Sequence, residues 1–239
     1  MFFSIVGRIL PGLAAAIVIA SIHVGDSGET LTPYGIWTSG EVIVLFAEVS
    51  SCPPNELPPP GAAQVLVSKD GGKHWEKSGQ QFEGSILEYT HETGANLWIV
   101  GEHTAEGPAS SPFILIPTGT GLDWKQKIIY EGNAELEGIA KRDNGDFVAW
   151  IRHLDLHGEG WTGPLYLHRS SDGGHTWHVV GRTKKTPDGP GAGFKKIEKQ
   201  NSNWRVTDAG DDGSAVEFRA DEHSSWREVY RFLVSDCGP

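Results

Sequence analysis

Four tryptophans, Trp75, Trp124, Trp177 and Trp226, stand 49, 53 and 49 residues apart, and each closes a related eight-residue stretch. The stretches are 68-SKDGGKHW-75, 117-PTGTGLDW-124, 170-SSDGGHTW-177 and 219-RADEHSSW-226. A period of about 50 residues is the signature of a repeated supersecondary unit. Ahead of the first three tryptophans the same order of segments recurs. A short apolar run (35-GIW-37, 85-SIL-87, 138-GIA-140) precedes a turn, then a stronger run (42-VIVLFAEV-49, 96-NLWIVGEH-103, 146-DFVAWIRHL-154). A variable loop leads to a third run, 64-QVLVS-68, 113-FILIP-117 or 165-LYLHR-169, and a short fourth run follows the tryptophan, as in 178-HVVGR-182. Unit four is less regular; 203-NWRVTDAG-210, 214-SAVEFRA-220 and 227-REVYRFLV-234 are its best strands.

Each unit therefore predicts four antiparallel strands. A sheet of this size cannot cover both of its own faces, and repeated sheets solve this by stacking radially. The predicted fold is all-β: a four-bladed β-propeller of four-stranded antiparallel blades. A two-sheet sandwich would not explain the period. The 31 glycines, 14 prolines and single methionine agree with many short strands joined by tight turns.

The turn after the third strand carries a family resemblance. Ser170, Asp172, Gly174, Thr176 and Trp177 match Ser-x-Asp-x-Gly-x-Thr-Trp in full, and Ser68, Asp70, Gly72 and Trp75 match it with His74 in place of Thr. This resembles the Asp-box, or BNR, repeat of sialidase-like propellers. The resemblance implies a propeller and leaves the function open, because such folds carry enzymes and binding proteins alike. Asp70 and Asp172 read as braces: a short carboxylate accepts bonds from the N–H groups of its own turn. Calcium needs six or more oxygens, and each turn offers one carboxylate.

The resemblance also raises sialidase chemistry, which in that family uses an arginine triad to hold a carboxylate. Between Arg8 and Arg142 there is no arginine, so the first two units cannot supply the bidentate guanidinium. No G-x-S-x-G context exists, 188-DGPGAG-193 is not followed by a phosphate-binding Lys-Ser/Thr, and no cofactor is required by any motif. The expectation is a noncatalytic protein binding a protein or glycan partner through one ring face; the alternative is a glycan hydrolase with rearranged active-site residues. Long loops between second and third strands gather on one face. The third of them supplies His157, Glu159 and Trp161 as the expected contact residues. Strand alternation would put His153, Asp155 and His157 on one side, a constellation that could hold a transition metal but reads more simply as a polar loop edge, so no metal is expected.

Residues 1–20 read as a signal peptide: Arg8 precedes an apolar run that ends in small residues, leaving 21–239 as the propeller domain. The expected location is extracytoplasmic, periplasmic or secreted, with membrane attachment only through an uncleaved leader. A formal net charge of −11 repels nucleic acid, so none is expected as a partner. In an oxidising compartment Cys52 and Cys237 would form a disulfide, joining the first unit to the last.

Overall fold

The computed structural model describes residues 29–51, 62–91, 97–104, 110–118, 123–155, 163–184, 194–208 and 213–232. Among these the regular structure is entirely β, and no helix is long and apolar enough to cross a membrane. The leader, Cys52, Cys237, His157, Glu159 and Trp161 lie outside the described residues.

Four antiparallel sheets follow one another along the chain. The first is β1 (Glu29–Ser39), β2 (Val42–Ser51), β3 (Ala62–Ser68) and β4 (Glu76–Glu83), paired in that order. The second holds β5 (Ser85–His91), β6 (Leu97–Thr104), β7 (Ser110–Thr118) and β8 (Asp123–Ile128). The third holds β9 (Ala134–Lys141), β10 (Phe147–His153), β11 (Leu165–Ser170) and β12 (His178–Arg182). The fourth has β14 (Trp204–Asp208), β15 (Ser214–Phe218) and β16 (Arg227–Phe232).

Burial explains why β2 is apolar from Val42 to Ala47. Successive strand residues point to opposite faces. Ile43, Leu45 and Ala47 enter a core shared with Trp204, Val206, Val216 and Tyr230 of the fourth sheet. Val44 and Phe46 enter a second core with Leu97, Ile99, Phe113 and Leu115 of the second sheet. The first sheet is thus covered on both sides. A third core joins Val100, Ile114 and Ile116 to Ile139, Phe147, Ala149 and Ile151 of the third sheet. The stacking order is fourth, first, second, third.

The repeated turns lock this order. Trp75 packs toward Tyr230 of the fourth sheet, Trp124 lies in the core shared with the first, and Trp177 packs on the core between second and third. A Cβ at Gly72 would stand 2.9 Å from the Trp204 ring, so only glycine lets that turn approach the neighbouring sheet so closely. Trp226 departs from the rule. It lies between the guanidinium groups of Arg205 and Arg219, 4.5 Å from each. Among the described residues no apolar cluster joins the third sheet to the fourth. The far faces there carry ion pairs, Arg152–Glu137 and Arg169–Asp146 on the third sheet and Arg205–Glu217 on the fourth.

The expectation of four strands in every unit needs correction. The fourth sheet has three, and the second has five. The segment that would begin the fourth unit crosses to its neighbours instead: β13 (Lys195–Lys196) pairs with β5, Lys195 opposite Tyr89 and Lys196 opposite Glu88. Glu198 O accepts a bond from Ile36 N of β1 at 2.9 Å. Ile197 sits over Gly35, where a Cβ would come within 1.9 Å of its Cγ2. Phe194, 2% exposed, packs edge-on against Phe147 of the third sheet at 6.1 Å. Apolar side chains at 194 and 197, with a glycine as socket, favour β1 and β5 over the edge of β14.

Candidate functional site

The ends of β2, β6, β10 and β14 lead into the long loops, and the starts of β3, β7, β11 and β15 receive them. Two pockets join such ends between neighbouring sheets. A pocket of about 250 Å³ is lined by Tyr34, Glu48, Ala62, Ala63, Gly84, Ser85 and Ile86, bringing the loop ends of the first sheet against the start of β5. A second, of about 170 Å³, joins Tyr34 and Thr32 of β1 to Val206, Asp208 and Ser214 of the fourth. Tyr34 thus stands between both. Its hydroxyl accepts a bond from Ile86 N at 3.2 Å and lies 3.4 Å from Ile86 O. Burial raises its pKa, so it is a neutral phenol at every physiological pH.

Two carboxyl groups, on β5 and β6, are perturbed. Burial pushes the Glu88 pKa up, against the pull of Lys196, and its Oε2 is shielded with no hydrogen-bond partner among the described residues. Burial also raises Glu102, opposed by the bond it accepts from Leu136 N and reinforced by Glu135. Neither lines the pocket beside Tyr34, where Glu48 is the carboxylate.

The third sheet carries an aromatic cluster at the head of its long loop. The His153 imidazole stacks between Tyr130 and Tyr166, with ring centroids 3.9 Å and 4.3 Å away. Its Nε2 lies 3.0 Å from Nε2 of His168, a residue 2% exposed. Burial lowers the pKa of both imidazoles, that of His168 to about 4 with help from the neighbouring His153 and His178. Strand alternation grouped His153 with Asp155 and His157; the structure brings it together with His168 of β11. Tyr34, Glu88, Glu102, Tyr130 and His168 carry no local motif, and only strand pairing and burial single them out.

The Ser-x-Asp turns form closed hydrogen-bond sets. Ser170 Oγ donates to Asp172 Oδ1 at 2.7 Å and accepts from Gly174 N at 2.9 Å. Thr176 donates to the same carboxylate through N at 2.9 Å and Oγ1 at 2.6 Å. In the first copy Lys73 N and His74 N donate to Asp70 Oδ1, and the His74 ring takes the place of the threonine hydroxyl with Nδ1 2.5 Å from Oδ2. Gly71, Gly72, Gly173 and Gly174 all have positive φ, from 70° to 93°. These bonds hold both carboxyl groups well below the usual range: Thr176 contributes most at Asp172, and His74 at Asp70. Among the described residues no group of three or more His, Cys, Asp and Glu could hold a metal ion.

No protein-family model matches the chain. No curated protein matches it either. Among solved structures it resembles an α-L-arabinanase of Penicillium chrysogenum complexed with arabinobiose, at 14% identity and a TM-score of 0.36, covering 85% of this chain and 66% of that one. It also resembles an exo-inulinase of Aspergillus awamori (12%, TM-score 0.34, 83% and 49%). A third likeness is the α-L-arabinofuranosidase of Podospora anserina in complex with cellotriose (9%, TM-score 0.32, 88% and 70%). The chain thus spans less than two thirds of the first two.

Proposed function

We propose that this chain is an extracytoplasmic, noncatalytic binding protein, built as a four-bladed Asp-box propeller, that holds a protein or glycan partner on its long-loop face. One observation carries the reading. The inner edge, where a propeller could open a substrate pocket, is crossed by Phe194–Gln200, which bonds to β1 and β5 and buries Phe194. The described pockets at the loop-side ends, of about 250, 170 and 330 Å³, hold no convergent carboxylate pair of the kind glycoside hydrolysis needs. His157, Glu159 and Trp161 are the proposed contacts, Asp70 and Asp172 the braces of the turns.

The test is binding by the secreted chain and its variants. Once a partner is captured from the extracytoplasmic fraction, Trp161→Ala should weaken it by about 2 kcal/mol or more, roughly 30-fold, as truncated interface aromatics do. Unchanged affinity in folded Trp161→Ala and His157→Ala proteins places the contact elsewhere. A second reading, glycan hydrolysis, draws on Glu88 and Glu102, since a carboxyl group with a raised pKa can serve as general acid. It predicts turnover that Glu88→Gln or Glu102→Gln removes.

A further inference from the structure

We propose that the hollow beside the β9–β10 hairpin binds a pyranose unit of a neutral glycan, at a site separate from the long-loop face. A cavity of about 540 Å³ is floored by Ala140, Val148 and Trp150 and rimmed by Arg142, Asp143 and Asn144. Phe147, Ala149 and Ile151 enter the core shared with the second sheet, so strand alternation turns Val148 and Trp150 to the far face of the third. Residues 142–146 join β9 to β10, whereas the long loop leaves the other end of β10, after His153. The hollow therefore lies toward the opposite end of the third sheet from the proposed loop contacts.

Floor and rim select the ligand by their chemistry. Trp150 is half-buried, and its cross-strand neighbour on β9 is Gly138, which has no side chain to cover the indole. An indole face is an apolar plate that suits the C–H face of a sugar ring. Arg142 and Asp143 are both exposed, one a donor group and the other an acceptor. An anion would meet the Asp143 carboxylate, and a cation the Arg142 guanidinium. An apolar ligand would strip water from both charges and replace none of it. Ring hydroxyls can accept from the one and donate to the other. The turn is also fixed in advance, which lowers the ordering cost of binding. Arg142 N donates to Asp146 O at 2.8 Å, and Gly145 N donates to Arg142 O at 2.9 Å. Asn144 Nδ2 and Arg169 Nε donate to Asp146 Oδ2 at 3.0 and 2.9 Å.

The experiment is calorimetric titration of cellohexaose, xylohexaose and mannohexaose, with hexagalacturonate as the anionic counterpart, into the full chain and into Trp150→Ala and Asp143→Ala. The expected result is one site for a neutral hexaose in the wild type and none for hexagalacturonate. Each variant should weaken that binding by about tenfold or more. No heat from any neutral hexaose at millimolar concentration would overturn the proposal, as would binding of hexagalacturonate alone. Undiminished binding by either folded variant would do the same. Asp143 is exposed in a turn, so Asp143→Ala keeps the test decisive if Trp150→Ala fails to fold.

Discussion

Asp172 shows how much one side chain organises. It accepts bonds from Ser170, Thr176 N and Thr176 Oγ1 while remaining exposed. Asp172→Ala should lower stability by about 1–2 kcal/mol, read as a shift in the denaturant midpoint, because solvent replaces part of what is lost. Its folded-state pKa lies below the unfolded value, so its contribution is complete above that value, near 3.9, and fades as pH falls toward the folded one. The gap between wild type and variant should therefore be full at pH 7 and narrow below about pH 4. A gap that widens in acid would refute this. The turn motif was legible as a carboxylate braced by the N–H groups of its own turn; the bonds from the Ser170 and Thr176 hydroxyls come from the structure alone. The role of His74 was less so, since a departure from the pattern does not say that the imidazole takes the hydroxyl's place.

At the scale of elements, period and apolar runs placed the strands of the first three units, because a strand buried on both faces reads as a continuous apolar run, as β2 does. The fourth unit offers three strands in the sequence, all of them found, and no run ahead of Asn203 marks the fourth that the repeat calls for. Nothing in Phe194–Gln200 distinguishes a strand of its own sheet from one lent to another; the difference lies in Gly35, some 160 residues earlier, which leaves room for Ile197. Likewise His153 was grouped with neighbours in sequence, and its partner His168 emerged only from the β10–β11 pairing. The Gly35–Ile197 contact is testable by a double-mutant cycle. Gly35→Ala should destabilise by about 1–3 kcal/mol through overpacking, and Ile197→Ala in the same chain should recover much of that loss. Additive losses would mean that the crossing segment does not lie over Gly35.

Among the described residues, the tryptophan period separates turns packed on an apolar core from one packed among charges. Trp75 seals the fourth sheet to the first, whereas Trp226 lies on a polar face between two arginines. Trp75→Ala should cost about 3–5 kcal/mol, as loss of a core aromatic does, and Trp226→Ala about 2 kcal/mol or less. Equal losses in chemical denaturation would indicate that the third and fourth sheets share a core. The first and fourth sheets are also those the cysteines would join, so intact-mass analysis after alkylation should find no free thiol in protein from an oxidising compartment; two labelled thiols would remove the expected staple. On the proposed reading, the crossing segment leaves this molecule binding without turnover. The most direct test is hydrolysis of a fluorogenic sialoside, an arabinan and a fructan by repurified wild type and by Glu88→Gln and Glu102→Gln. Product at background in all three proteins is the predicted result, and turnover by the wild type that either substitution abolishes would contradict it.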